Sequence, residues 1–167
     1  MTQQQAQRWC GAFAALVAAT LAFPAARETL RAPAVGARAA SEVSPGDAAA
    51  RLAAGERIVF VDVREPAEFA EFHIPGAHSL PLRQLHTTDL AELSEASLVI
   101  PYCLKDFRGA DGARILQRRG LTNVTRLAGF GVKAWKGAGL PLAGRPPLPD
   151  DAAALEQLRS RAREVRP

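Results

Sequence analysis

Short segments of different hydrophobic pattern alternate through the middle of the chain. IVFVDV (58–63) and SLVIPYC (97–103) are continuous apolar runs, and the first is rich in β-branched residues. Such runs predict strands buried on both faces. Helical patterns are predicted for 66–72 and 109–120, and NVTRL (123–127) predicts a third strand. Strands that alternate with helices predict an α/β domain with a mainly parallel sheet flanked by helices.

The remaining segments complete this predicted domain. Ser44 and Pro45 have the residue types of a helix cap and a first helical position, so a helix is expected from there to about Ala54. Pro101 removes a ladder donor and is expected at the end of its strand. Four shorter elements are also predicted: a strand near 77–80, a polar helix around 88–93, a helix over 131–139, and a C-terminal helix over 150–165.

The N-terminal part has a different composition. Residues 9–26 contain no charged side chain, and Arg27 ends the run. This pattern predicts that residues 1–26 are a signal peptide, cleaved after Ala22, or an uncleaved membrane anchor that ends near Pro24. Residues 27–41 are then a flexible tether. Either alternative places the protein in the periplasm or at the membrane through 9–26, and N-terminal sequencing of the mature protein distinguishes them.

Composition narrows the function further. The predicted domain covers 42–145, followed by a proline-rich linker and the C-terminal helix in 146–167. The net charge is +4, but no compact basic and aromatic face is evident, which argues against nucleic-acid binding. Two distant cysteines do not form a disulfide framework. The histidines lack ligand-like partners and are expected in loops or on the surface, so neither a metal nor a cofactor is predicted: His73, His78, His86.

The stretch YCLKDFRG (102–109) carries the candidate chemistry. Cys103 follows a predicted buried strand and precedes a predicted helix, so it lies at the carboxyl edge of the sheet, where α/β domains bind ligands. Lys105, Arg108 and backbone N–H groups there stabilise a thiolate and attract an anion. The alternative is a buried packing cysteine, since free cysteine is among the most buried residue types. The nearby cations favour the nucleophile.

Three segments together resemble the single-domain rhodanese family. They are VDVREPAEFAEFHIPGAHSLPL, YCLKDFRGADGARILQRRG and NVTRLAGFGVKAWKGAGLPL, which occur in the family's order and span about 100 residues. The resemblance implies a rhodanese-like α/β fold and a sulfurtransferase of the thiosulfate type. Cys103 matches the catalytic cysteine, which carries sulfur as a persulfide. The other loop residues match the substrate-binding positions: Leu104, Lys105, Asp106, Phe107 and Arg108.

The resemblance has further implications. Asp62 and Arg64 match positions that support the fold and the loop. The implied partners are a small anionic sulfur donor and a thiol or protein sulfur acceptor, without a cofactor. Four residues separate Cys103 from Arg108, as in sulfur-handling members, whereas phosphatase-like members have five. The alternative function is a non-catalytic module that uses the rhodanese fold to recruit a protein partner.

Two loop residues depart from the family pattern. Asp106 replaces the usual glycine, and Phe107 replaces a small residue. An aspartate directed at the thiolate raises the thiol pKa and repels an anionic donor. Directed outward, it pairs instead with Lys105 or Arg108. Phe107 is expected to form one wall of the substrate mouth.

Overall fold

The computed structural model describes residues 42–105 and 107–164. This part of the chain contains helices α1 (Pro45–Ala53), α2 (Pro66–Glu71), α3 (Ala91–Ser94), α4 (Phe107–Arg118), α5 (Val132–Gly137) and α6 (Asp151–Glu164), and a 3-10 helix (Leu82–His86). Its strands are β1 (Glu42–Val43), β2 (Ile58–Asp62), β3 (Phe72–His73), β4 (His78–Ser79), β5 (Leu98–Tyr102), β6 (Arg126–Leu127) and β7 (Ala143–Gly144).

Parallel pairing dominates the sheet. Strand β2 lies between β4 and β5 and runs parallel to both. Strand β1 pairs with β6 in parallel, and β3 pairs with β7 antiparallel. A parallel bridge between Val99 and Val124 extends β5 toward the β6 side. The prediction of an α/β domain with a mainly parallel sheet flanked by helices is therefore confirmed.

The two central strands are buried on both faces, as their continuous apolar runs predict. Val59 and Val61 pack into one core cluster, whereas Ile58 and Phe60 pack into the other. Side chains alternate between the faces of a strand, so apolar residues at every position supply both cores. This burial fixes the register of β2 against β5, from Ile58 opposite Leu98 to Asp62 opposite Tyr102.

Several predicted boundaries need correction. Pro101 lies one residue before the end of β5, opposite Val61. Helix α4 begins at Phe107, two residues before the predicted start, and Gly109 lets its first turn lie close to β5. A Cβ at Gly109 would lie 3.1 Å from the Cα of Tyr102. In place of the polar helix predicted over 88–93, residues 88–90 are not helical and the short helix α3 follows at Ala91–Ser94.

The C-terminal helix is attached to the domain despite its thin apolar face. Ala154 and Leu158, four residues apart on α6, are 0% and 2% exposed. Gly76 donates its backbone N–H to the Asp151 carboxylate, whose other oxygen lies 3.2 Å from His73 Nε2. The prediction that His73 lies in a loop or on the surface is wrong. It belongs to β3 and is buried, with Nδ1 2.9 Å from the Phe69 carbonyl oxygen.

The predicted signal peptide or anchor (1–26) and the predicted tether (27–41) lie outside the described residues. Within 42–105 and 107–164, no helix is long and apolar enough to cross a membrane. The limits of the domain and of the C-terminal extension stay predictions.

Candidate active site

Cys103 lies directly after β5 and four residues before α4 begins. Its side chain is 3% exposed and packs in the core cluster that contains Val61 and Val63. Its carbonyl oxygen accepts a 2.9 Å hydrogen bond from the backbone N–H of Val132. The main chain of Cys103 is thus fixed between the end of the sheet and the start of α5. A side chain that is 3% exposed is consistent both with a cysteine that only packs the core and with a nucleophile shielded from solvent.

Gly131 packs closely against the main chain of Cys103. Its φ is +53°, a conformation that residues with a side chain rarely adopt. A Cβ at this position would overlap the carbonyl oxygen of Cys103. The GFG turn (129–131) therefore lets its own backbone approach that of the cysteine loop closely. The sequence pattern does not predict this contact.

Gly131→Ala is expected to lower the free energy of unfolding by about 3 kcal/mol, because the new methyl group adds both backbone strain and a clash. Urea denaturation measures this loss. The matched control is Gly137→Ala on α5, where an added Cβ meets no atom within 4 Å. It should be neutral or stabilising by about 0.5 kcal/mol. Equal stability of the two variants would show that the loop tolerates displacement.

Arg108 is held beside the loop by a carboxylate from α2. Its Nη1 and Nη2 atoms each donate a 2.9 Å hydrogen bond to Glu68. Glu68 also accepts a bond from the backbone N–H of Glu65, within a capping box at the start of α2. The hydrogen bond from Arg108 lowers the pKa of Glu68 to about 2. Glu68 raises the pKa of Arg108, and the charge of the Cys103 thiolate adds to that effect.

This pair changes the expected role of Arg108. Its guanidinium fork is engaged by Glu68, so the charge of Arg108 is paired and its two Nη atoms are not a free bidentate ligand for an anion. Glu68 carries no mark of a site residue in the sequence. The spacing of Glu65 and Glu68 is that of a capping box, but nothing local indicates a partner 40 residues away.

The Arg108–Glu68 pair predicts a pH-dependent stability. Because folding lowers the pKa of Glu68, its contribution is complete above the unfolded value of about 4.5 and disappears as pH falls toward 2. The side chains are 39% and 34% exposed, so solvent screening limits the effect to about 1 kcal/mol. Glu68→Gln should lose that amount near neutral pH and match the wild type near pH 2, as measured by urea denaturation.

A control for this titration is Asp111→Asn, which removes the exposed Arg114–Asp111 pair. It should change the free energy of unfolding by less than about 0.5 kcal/mol. A difference between Glu68→Gln and the wild type that stays constant from neutral to acidic pH would contradict the prediction.

Asp62 and Arg64 form a buried ion pair below the loop. Their side chains are 0% and 1% exposed, with Arg64 Nε 2.9 Å from Asp62 Oδ1 and Arg64 Nη2 2.6 Å from Asp62 Oδ2. Arg64 Nη2 also donates to the Phe72 carbonyl oxygen at 2.6 Å. Burial disfavours the charged guanidinium, yet the hydrogen bond and charge of Asp62 keep the pKa of Arg64 above its ordinary value.

Tyr102 connects this pair to the cysteine strand. Its hydroxyl oxygen accepts a 3.1 Å hydrogen bond from the backbone N–H of Ile74. Burial raises its pKa well above the ordinary value, and the charge of Asp62 adds to the shift. The hydroxyl therefore stays protonated. Val63 N–H donates to the Tyr102 carbonyl oxygen at 3.0 Å, so the ends of β2 and β5 are joined immediately before Cys103.

The other predicted loop residues differ in exposure. Leu104 is partly buried and packs against the core cluster that contains Tyr102 and Trp135. Lys105 is exposed, and Phe107 is 82% exposed. Asp106 lies outside the described residues, so its direction stays a prediction, as do the substrate-binding roles of the loop. No group of three potential metal ligands occurs in 42–105 and 107–164.

Known proteins resemble this chain in sequence. The family model of the rhodanese-like domain matches residues 44–138. A protein named sulfurtransferase from Allochromatium vinosum is 33% identical over 102 residues, 61% of this chain and 94% of that protein. An uncharacterized Synechocystis protein is 38% identical over 52% of this chain, which spans 47% of its length. This chain spans 24% of a probable adenylyltransferase/sulfurtransferase MoeZ from Mycobacterium tuberculosis, at 28% identity.

Solved structures give the same fold. The BH2092 protein from Bacillus halodurans superposes with a TM-score of 0.57 at 27% identity, over 65% of this chain and 80% of that one. A thiosulfate sulfurtransferase from Pseudomonas aeruginosa superposes with a TM-score of 0.56 at 26% identity, over 66% of this chain and 20% of that one. The predicted rhodanese-like fold is therefore confirmed, and the similarity extends to proteins named sulfurtransferases.

Proposed function

Because this chain belongs to the rhodanese-like domain family, we propose that it is a sulfurtransferase in which Cys103 carries sulfane sulfur as a persulfide. The carrying observation is the position of Cys103, at the carboxyl end of a central strand, before a helix N-terminus and within the electrostatic range of Arg108. The family relationship supports a sulfurtransferase-like role, and thiosulfate as donor is the finer part of the proposal.

The loop geometry supports a nucleophilic cysteine. Helix α4 has 12 residues, so the unpaired N–H groups of its first turn carry partial positive charge. Arg108 lies in that first turn and is paired with Glu68, so it contributes the positive end of an ion pair rather than a net charge. Positive potential at a helix N-terminus suits a cysteine that acts as a nucleophile, because the thiolate is the attacking form. The same potential favours an anionic donor.

The proposed reaction has two displacements. The Cys103 thiolate attacks the outer sulfur of thiosulfate, the S–S bond of thiosulfate breaks, and sulfite leaves with the bonding electron pair. The outer sulfur then remains on Cys103 as a persulfide anion. An acceptor thiolate attacks that terminal sulfur, and the Cys103 thiolate leaves. One sulfur atom and no net electrons have passed from donor to acceptor.

The full-length protein tests this proposal directly. After incubation with thiosulfate, intact-mass spectrometry should show the mass of one added sulfur atom, and peptide mapping should place it on Cys103. Dithiothreitol should remove it, because a thiol is an acceptor. If neither thiosulfate nor an organic persulfide loads Cys103 while a known sulfurtransferase is loaded in parallel, the proposal is wrong.

The burial of Cys103 favours a second candidate. A side chain only 3% exposed fits a non-catalytic module, in which the cysteine packs the core and the domain recruits a protein partner. This alternative predicts that a strain carrying Cys103→Ser keeps the cellular role. A phenotype equal to that of the deletion strain would exclude it.

A further inference from the structure

Two exposed aromatic side chains flank the cysteine loop. Phe107 and Phe130 are 82% and 68% exposed, and they are the large apolar side chains that the described part of the chain leaves most open. Single exposed apolar residues are common and need no explanation. These two, however, adjoin the same cysteine from different elements. Phe107 begins α4, and Phe130 precedes Gly131, which packs on the carbonyl group of Cys103.

Three exposed lysines lie close in the chain to these aromatic residues. Lys105 is exposed in the loop, and Lys133 and Lys136 are exposed on α5. The two α5 lysines are three residues apart and therefore lie on one helix face. The backbone N–H of Lys133 donates to the Phe130 carbonyl oxygen at 3.0 Å, so this helix face continues directly from the second aromatic residue.

The nearby acidic groups do not cancel this charge. Glu68 is engaged by Arg108, and Asp111 by Arg114. Asp106 contributes one negative formal charge from the loop, against three positive charges on the lysines. The mouth of the cysteine loop thus combines aromatic anchors with a positive rim. We define the five residues that form it as the aromatic–lysine surface: Lys105, Phe107, Phe130, Lys133 and Lys136.

We propose that the aromatic–lysine surface docks an acidic protein segment that presents the sulfur-accepting thiol beside an apolar side chain. This inference rests on the proposed function and names the class of its acceptor. Aromatic residues dominate binding energy at protein interfaces, and a positive rim selects acidic partners and accelerates their association. A small hydrophilic thiol makes no use of two aromatic anchors, and a basic segment is repelled.

Transfer of sulfur to such a segment is the second displacement of the proposed reaction, with the thiol of the partner as the acceptor. The partner thiolate attacks the terminal sulfur of the Cys103 persulfide, a new S–S bond forms on the partner, and the bond to Cys103 breaks. Cys103 leaves as a thiolate, so neither an oxidant nor a reductant is consumed. Docking affects the rate because it holds the two sulfur atoms together.

The first experiment measures docking without sulfur chemistry. Three fluorescein-labelled peptides carry a central serine in place of the acceptor cysteine, flanked by leucine and glutamate, by leucine and lysine, or by serine and glutamate. Binding to the full-length protein is followed by fluorescence anisotropy. The leucine–glutamate peptide should bind about tenfold more tightly than each of the others. Added salt should weaken the preference for glutamate over lysine.

Variants assign this binding to the surface. Phe107→Ala and Phe130→Ala should each weaken binding of the leucine–glutamate peptide about fivefold or more. Lys133→Glu should weaken binding of that peptide and strengthen binding of the leucine–lysine peptide. The matched control is Arg159→Glu on α6, which reverses one exposed charge outside the aromatic–lysine surface. It should leave both affinities within about twofold.

The second experiment adds the sulfur step. The protein is loaded with thiosulfate and then discharged with the cysteine versions of the three peptides. Phe130→Ala and Lys133→Glu should load as the wild type does but discharge several-fold more slowly to the leucine–glutamate peptide. Failure to load refutes the proposed function, whereas the anisotropy arm still decides the docking surface.

Three outcomes would overturn the docking proposal. The first is equal affinity for all three peptides, and the second is unchanged affinity in both aromatic variants. The third is a change in oligomeric state of Phe130→Ala, measured by light scattering, with unchanged peptide affinity. That result would assign the surface to contact between copies of this chain.

Discussion

Replacing Cys103 with serine is expected to eliminate persulfide formation and to lower sulfur transfer from thiosulfate to a thiol by at least about 1000-fold. A serine hydroxyl is not ionised near neutral pH, and it cannot form the S–S bond that stores the transferred atom. Steady-state sulfite release and intact-mass spectrometry measure the two effects. The expected size of the loss follows from the covalent role proposed for Cys103.

The chain offers a matched control for this experiment. Cys10→Ser changes the other cysteine of the sequence and should keep both loading and turnover. A hydroxyl at the buried Cys103 position can also reduce stability, by about 1–3 kcal/mol if it lacks a partner. Cys103→Ala avoids that penalty and should be equally inactive, with a folded circular-dichroism spectrum. Loading that persists in both Cys103 variants would place the persulfide elsewhere.

The second large effect concerns stability. Asp62→Asn should lower the free energy of unfolding by about 3–5 kcal/mol, because it leaves the Arg64 guanidinium buried without its counter-charge. Arg64 is 1% exposed and makes its charged contacts to Asp62. Asparagine keeps the shape of the side chain, so the loss reports charge rather than packing. Urea denaturation of the purified variant measures it.

A surface pair calibrates this loss. Glu95→Gln removes the Arg57–Glu95 pair, whose side chains are 53% and 67% exposed, and should cost less than about 0.5 kcal/mol. The double variant Asp62→Asn/Arg64→Met removes both buried charges and should recover part of the stability lost by the single change. A loss below about 1 kcal/mol in Asp62→Asn would show that water or another group compensates Arg64.

The two predictions concern the proposed nucleophile and the buried ion pair that supports its loop. Cys103 is proposed to perform the reaction, and the Asp62–Arg64 pair holds the strand ends on which the loop rests. Tyr102 links the strand before Cys103 to neighbouring segments, because its carbonyl oxygen accepts a hydrogen bond from Val63 and its hydroxyl oxygen accepts one from Ile74. An Asp62→Asn variant that still folds is therefore expected to keep the nucleophile but to hold it less firmly.

The sequence predicts the sheet well because the signal is local. The β-branched apolar run over 58–63 predicts a strand covered on both faces. In the structure, all five residues of β2 are buried. The helix start at Ser44 is also encoded locally, and its hydroxyl accepts the backbone N–H of Asp47 at 3.0 Å. The close approach of α4 to β5 at Gly109 could not be placed in this way, because it depends on how the two elements pack.

The environment of the site depends on contacts between distant segments. Glu68 meets Arg108 across 40 residues, and His73 meets Asp151 across 78. A residue's hydrophobicity or charge indicates that it needs a partner, but only packing of the elements determines which one. For the same reason, the sequence marks Phe107 as unusual in the loop but does not reveal that Phe130 adjoins the same cysteine.

By itself, the sequence determined the family, the strand that directly precedes Cys103, and the cysteine as the candidate sulfur carrier. These features depend on residue types at short spacings, which local burial and backbone preference translate directly into structure. Only the tertiary structure decided that Glu68 holds Arg108, that Gly131 packs against the carbonyl group of Cys103, and that Phe107 and Phe130 are left exposed. Those features arise when separate elements pack together, and no pattern within a single element specifies them.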